Sequence, residues 1–177
     1  MTKALVISDT HGLIHEVREV VHLGSYDMIF HCGDYCTDEE ALPFSQMKMV
    51  RGNNDFSDVI PMEQVVEWSG LRIFMAHGHT YQVHDSLLGL KYKAEEVGAD
   101  IVLFGHTHYP VAIYDGGTVF INPGSLRQPR GFTVPTYVVL EVDQQEEKKI
   151  QISITYYDVK HQKVEQLSKC FSLSESN

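Results

Sequence analysis

The chain has 177 residues, 43% of them apolar and 21% charged, which suits one globular domain with its own core and excludes a largely disordered polymer. Acidic side chains outnumber basic ones 24 to 14, for a formal charge of -10, and a field of that sign disfavours nucleic acid and anionic membrane as bulk partners. The three cysteines, Cys32, Cys36 and Cys170, are odd in number and irregular in spacing, so they form neither a disulfide framework nor a thiolate zinc site and are read as reduced thiols, Cys32 buried.

The N-terminal residues run straight into an apolar strand over 4–7, without the pattern of a signal peptide, and no stretch approaches the ~20 apolar residues that span a bilayer. A cytoplasmic location is therefore the expectation. Residues 14–23 read as a helix with Ile14, Val17, Val20 and Val21 on one face, ending at Gly24. A second strand covers 28–31. Thr37 and Glu40 have capping-box spacing and open a short helix that Pro43 limits. A third strand follows at 47–50, then a hairpin of 64–68 and 71–75 around Ser69-Gly70. Asp85 or Ser86 caps a helix that runs to Val97, with Gly98 at its C-terminus.

Residues 101–104 form another buried strand, and strands are predicted at 111–114, 118–121, 136–142 and 150–156. In the last, Ile150, Ile152, Ile154 and Tyr156 alternate with polar residues, the mark of a half-buried strand. The polar tail from Ser172 to Asn177 is read as disordered. With no repeat or linker, the chain forms a single domain over 1–177, of α/β class: two packed sheets, a layered β-sandwich, flanked by helices.

Polar clusters follow five of these strands: Asp9-Thr-His11-Gly, Gly33-Asp34, Gly52-Asn53-Asn54-Asp55, His77-Gly-His79 and Gly105-His106-Thr-His108. In open α/β sheets, ligand sites lie outside the carboxyl ends of strands. A glycine beside each cluster allows a tight turn or a close approach. Carboxylate, imidazole and amide groups suit manganese, iron, zinc, nickel or cobalt. There are too many of them for a single ion with open positions, whereas two ions sharing a carboxylate would use them all. Such a pair clamps a phosphoryl group and lowers the pKa of a shared water, giving a hydroxide nucleophile. Any one of these short patterns is more often a turn or a helix cap; the ordered set carries the argument.

The series Asp9-x-His11, Gly33-Asp34, Gly52-Asn53, His77-Gly-His79 and Gly105-His106-x-His108 resembles the calcineurin-like metallophosphoesterase superfamily. The opening Ser8-Asp9-Thr10-His11-Gly12 and the late Asn122-Pro123-Gly124-Ser125 resemble its small bacterial and archaeal phosphodiesterase branch, whose fold a retromer subunit shares. The resemblance implies that Asp9, His11 and His108 hold one divalent ion and Asn53, His77 and His106 a second, with Asp34 between them. It implies manganese or nickel as the common ions; the same ligands accept zinc or iron. Many members have histidine after the metal-binding asparagine, to protonate the leaving group or bind the phosphate. Asn54 stands there instead; it donates a hydrogen bond but is no acid at neutral pH. Aryl phosphodiesters should therefore turn over faster than alkyl ones. His79 is the substitute acid or a supporting residue, and Asp55 a candidate to orient a ligand histidine.

The remaining groups have plainer readings. His15, His22, His84 and His161 are solvated, and His31 is a satisfied core histidine. Asn122-Pro-Gly-Ser is a supporting turn. Arg127 and Arg130 either bind the substrate phosphate or are solvated. The expected function is hydrolysis of a small phosphodiester. The rivals are a protein-binding scaffold of the same fold, a nuclease and a phosphomonoesterase. Exposed β-edges allow a homo-oligomer.

Overall fold

The structure, a computed structural model, describes residues 1–38, 41–42, 46–145 and 149–174. In chain order the elements are β1 (Thr2–Ile7), α1 (Ile14–Leu23), β2 (Met28–His31), β3 (Met47–Met49), β4 (Glu63–Trp68), β5 (Leu71–Ala76), α2 (Leu88–Val97) and β6 (Ile101–Leu103). They continue with β7 (Val111–Asp115), β8 (Thr118–Asn122), β9 (Thr136–Gln145), β10 (Lys149–Asp158) and β11 (Lys169–Ser174). One sheet has the order β11-β10-β9-β1-β2-β3 and the other β4-β5-β6-β8-β7.

The apolar run of β1 is continuous because both its faces are covered. Ala4 and Val6 join the cluster between the sheets, while Leu5 and Ile7 join the one beneath α1. Val17, Val20 and Val21 of α1 share that second cluster with Ile29. On the far side, Leu90 and Ala94 of α2 pack with Phe74, Val102 and Phe120 of the second sheet. The result is the expected layered sandwich, helix outside sheet on both faces. Ile150, Ile152, Ile154 and Tyr156 all point from β10 into the central cluster, as their alternation predicts. Truncating a fully buried member such as Ile73 or Ile152 to alanine would cost about 2–5 kcal/mol.

Within this frame, β1, β2 and β3 are mutually parallel, and so are β5, β6 and β8. Their carboxyl ends deliver the polar clusters to a common edge. The structure also corrects the sequence reading in places. The tail is not disordered from Ser172: β11 runs on to Ser174, pairing with β10, with Leu173 buried and Phe171 packed against the core. Apolar residues at alternate positions make this an edge strand despite its polar composition. Residues 175–177 lie outside the described residues. So does most of the helix expected after Thr37, including Glu40 and Pro43. Helix α2 starts at Leu88, with the Ser86 hydroxyl accepting the Leu88 N–H at 3.0 Å. No helix among the described residues is long and apolar enough to cross a membrane.

Candidate metal centre

Past their last paired residues, the parallel strands stay joined by backbone hydrogen bonds. Asp9 N donates to Gly33 O, His11 N to Asp34 O and Gly105 N to His77 O. These ladders fix the loops from which the polar side chains emerge. Two glycines permit the approach. A Cβ on Gly52 would lie 2.0 Å from Asp34 Oδ1 and 2.6 Å from Asp34 N; one on Gly105 would lie 2.0 Å from Ser8 Oγ. Asp9, His11, Asp34, His106 and His108 all have positive φ, between 42° and 66°. Such angles are uncommon without glycine, though Asp and His tolerate them better than most residues.

Asp9 and Asp34 are buried carboxylates at the centre. Asp9 Oδ2 accepts the Ser8 hydroxyl at 2.6 Å and the His106 N–H at 3.1 Å. Among the described residues its Oδ1 has no hydrogen-bond partner. That oxygen faces His108 Nε2 at 3.1 Å, His77 Nε2 at 3.8 Å and His11 Nε2 at 3.9 Å. Asn54 clamps Asp34, its backbone N–H donating to Oδ1 at 2.9 Å and its side-chain amide to Oδ2 at 2.6 Å. Asp34 Oδ2 then sits 3.5 Å from His77 Nε2 and 3.9 Å from His11 Nε2. Two ligand groups result, Asp9 with His11 and His108, and Asp9 with Asp34 and His77, each with donor atoms within 4.8 Å of one another.

The tautomers follow from the second nitrogens. His77 Nδ1 lies 2.7 Å from the Cys32 carbonyl and His108 Nδ1 2.8 Å from the Gln128 carbonyl. A carbonyl only accepts, so each Nδ1 carries the proton and each neutral ring turns an Nε2 lone pair towards the carboxylates. This is the arrangement by which metal-ligating histidines are oriented. His77 Nε2 is buried and has no hydrogen-bond partner among the described residues. Lone pairs of His77 and His108 thus face the oxygens of Asp9 and Asp34, an arrangement that repels unless a cation lies among them. The donor set therefore fits divalent metal. The same fields act on protons. Burial opposes charging His77 and His108, yet the carboxylates outweigh it and raise both pKa values. Burial likewise opposes ionisation of Asp34, but His77, once it takes up a proton, and the Asn54 donors hold its carboxyl well below the usual range.

Asp9, His11, Asp34, His77 and His108 are thus brought together. His106 belongs to neither group; its ring lies beside His77, with centroids 5.1 Å apart. Burial, with His77 and His84 nearby, lowers its pKa to about 4. Asn53 is exposed in the turn after β3. His79 begins a short 3-10 turn, its ring 5.5 Å from that of His77 and its Nδ1 buried without a hydrogen-bond partner among the described residues. Asp55 does not orient a histidine: its carboxylate accepts the N–H groups of Asp34, Gly52 and Cys36 at 2.6, 2.8 and 2.9 Å. It pins two ligand loops together, because amides there would otherwise be buried unpaired. Arg127 is exposed at the rim and donates to the His11 carbonyl.

The supporting turn is as expected. Ser125 donates to the Asp9 carbonyl at 2.7 Å and Asn122 to the Gly105 carbonyl at 2.8 Å. His31 is a fully buried, satisfied histidine, accepting the Gly33 N–H on Nδ1 and facing Thr10 Oγ1 through Nε2. His84 is not simply solvated: its ring packs edge-on against His106, with centroids 4.7 Å apart. No local pattern marks it, since the loop after the 3-10 turn, not a motif, places it there.

The sequence over residues 2–145 matches the calcineurin-like phosphoesterase superfamily domain. The chain is 31% identical over 171 residues to the probable metallophosphoesterase YsnB of Bacillus subtilis (strain 168), covering 96% of this chain and 98% of that one. Phosphodiesterase YfcE of Escherichia coli (strain K12) is 33% identical over 172 residues, covering 81% and 89%. A crystal structure of a Streptococcus pneumoniae protein described as a predicted phosphoesterase superposes with a TM-score of 0.86 at 33% identity, covering 97% of each chain. With the sandwich fold and a donor set suited to divalent metal, these likenesses establish that the chain belongs to the calcineurin-like phosphoesterase superfamily.

Proposed function

We propose that the chain is a phosphodiesterase acting on small phosphodiesters with two divalent ions, manganese by preference. The observation that carries this reading is the pair of Nε2 lone pairs, on His77 and His108, locked towards the buried oxygens of Asp9 and Asp34. Asp9, His11 and His108 would hold one ion. His77 would hold the other, with His106 and Asn53 joining it from the rim, and Asp34 would lie between the two. The unpartnered Oδ1 of Asp9, common to both ligand groups, supports a shared role for that carboxylate as well. Bound there, two divalent ions would activate a water and offset charge developing on the phosphoryl oxygens.

The chain's own residues position and neutralise. Asn54 fixes the rotamer of Asp34 through two hydrogen bonds, so its amide serves the carboxylate first. Arg127 keeps donors beyond the one given to the His11 carbonyl, enough to hold a phosphate oxygen at the rim. In hydrolysis the water oxygen forms the new P–O bond, the ester P–O bond breaks, and the departing oxyanion takes up a proton. Asn54 cannot supply that proton. Burial, with His77 beside it, lowers the pKa of His79, leaving its ring neutral at pH 7. Esters with good leaving groups are therefore favoured by roughly 10²–10⁴-fold over those that need an acid.

The test begins with chelator-stripped protein, given manganese, nickel, zinc or magnesium singly and assayed on bis-p-nitrophenyl phosphate beside p-nitrophenyl phosphate. Diester cleavage restored by metal, and lost in folded Asp34→Ala and His77→Ala variants, is the expected result. Preference for the monoester would move the assignment to a phosphomonoesterase. No hydrolysis with any ion, together with no metal uptake by calorimetry, would overturn the reading in favour of a protein-binding scaffold.

A further inference from the structure

Two cavities flank the ligand cluster, and they differ in chemistry. One, of about 300 Å³, is bordered by Asp38, Asn54 and Asp55, so it sets carboxylates against any anionic group. The other, of about 450 Å³, has apolar walls that include Val83, Leu87 and Val111, with Tyr109 and Arg130 also lining it. This second cavity adjoins the centre at two points. His84 on its wall packs against His106 at 4.7 Å between ring centroids, and the Arg130 N–H donates to the His108 carbonyl at 3.1 Å.

Resting on the phosphoesterase reading, the geometry points to this cavity as the subsite for an aromatic ester substituent, making planar aryl-type phosphate esters the substrate class. Its volume lies within the range of small-molecule pockets, which are mostly apolar with a few polar groups to fix orientation. Tyr109 is 51% exposed, and its ring, which rests against Gly131, offers the exposed part of its surface for stacking on a planar group. Arg130 is the cation of the cavity in a chain of net charge -10, and it draws the phosphate to the end nearest His108. A short alkyl ester would leave the apolar walls wet, and a second phosphate would find apolar walls instead of further cations.

The test uses zinc-loaded protein, which is diamagnetic, with phenylphosphonate and methylphosphonate as probes. Each is titrated as a competitive inhibitor of p-nitrophenyl ester hydrolysis and followed by methyl NMR. Phenylphosphonate should bind at least ~10-fold more tightly, since only it brings a ring to bury. It should shift the methyl signals of Val83, Leu87 and Val111, and methylphosphonate should not. Leu87→Asp should reduce the preference to within ~3-fold of unity. Tyr109→Ala, at an exposed position, tests the same point should Leu87→Asp fail to fold. Arg130→Gln should weaken both probes alike and leave their ratio unchanged.

Hydrolysis with equal binding of the two probes and silent pocket methyls would overturn the aryl subsite while leaving the phosphodiesterase reading intact. Absence of hydrolysis with every ion would defeat that reading instead. The methyl shifts would then still decide the subsite: present with phenylphosphonate alone they support it, and absent they remove it.

Discussion

Replacing Gly52 by alanine tests the construction of the centre without touching a ligand. The new Cβ would lie 2.0 Å from Asp34 Oδ1, 2.7 Å from its Cγ and 2.6 Å from its backbone nitrogen. A carboxylate can swing away from the first two contacts, but a backbone nitrogen held by Asp55 Oδ2 at 2.6 Å cannot. Overpacking of this kind costs about 1–3 kcal/mol. Swinging Oδ1 away also breaks its hydrogen bond from the Asn54 N–H, at about 1.5–3 kcal/mol for a charged acceptor. Reduced freedom of the unfolded chain returns about 0.4–1 kcal/mol. The balance is a loss of about 3 kcal/mol, or roughly 6–12 °C in Tm for a chain of this size.

Metal-free protein should show this shift by thermal denaturation, and calorimetric titration should show metal affinity weakened by at least ~10-fold because Asp34 is displaced. Gly52→Ala with Tm within ~1 °C of the parent and unchanged affinity would refute the reasoning. The Gly52 and Asp34 loops would then not be in the contact described.

Three further outcomes are expected. Tyr156→Phe removes a buried hydroxyl that donates to the Asn122 carbonyl at 2.8 Å, and urea denaturation should show a loss of about 1–2 kcal/mol. His31 is fully buried, and its pKa is lowered to about 4 chiefly by desolvation. The unfolded chain, with a His pKa near ~6.5, therefore binds the extra proton. The contribution of His31 is complete above ~6.5, is lost as pH falls towards about 4, and amounts to about 3 kcal/mol. The difference in stability between the parent and His31→Gln, measured across that window, should shrink as pH falls; a constant difference would contradict the assignment. In native, metal-free protein Cys32 is buried while Cys36 and Cys170 are exposed. Burial and the carboxylates of Asp55, Asp34 and Asp9 push the Cys36 thiol up to about 12. Iodoacetamide at pH 8 should therefore alkylate Cys170 first, Cys36 slowly and Cys32 not at all, as read by peptide mass.

The centre was legible in the sequence because its residues follow their strands at once. Asp9 comes two residues after β1 and His77 one after β5, so locating the strand end locates the side chain. The walls of the aryl cavity are legible in no such way. Val83, His84 and Leu87 come from the segment before α2, Val111 from β7, and Arg130 from the loop before β9; only tertiary packing joins them. Strand β11 is not legible in the sequence because Phe171 and Leu173 alternate with Cys170 and Ser172 over too few residues to outweigh a polar tail. For Asp55 the sequence suggests the wrong partner. A carboxylate beside histidines suggests an imidazole contact, whereas three nearby amides with no strand to pair them have the stronger claim on it.

The same loops show why the centre needs so large a scaffold. Asp9, His11, Asp34, His106 and His108 each hold a positive φ, at about 1–3 kcal/mol apiece for a residue other than glycine. The burial of Asp9 and Asp34 beside one another adds like-charge repulsion, which His77 and His108 relieve only by taking up a proton. Nothing within a loop of three or four residues could offset both costs. The two parallel strand sets do so from outside, continuing their backbone ladders into the loops and burying large apolar side chains on both faces of each sheet. A cation among the carboxylates would remove the repulsion and leave only the backbone strain. Metal binding should therefore raise the thermal stability of the whole domain and not merely order the loops, and the rise should vanish in Asp34→Ala. Stabilisation by metal that persists in that variant would place the ion elsewhere.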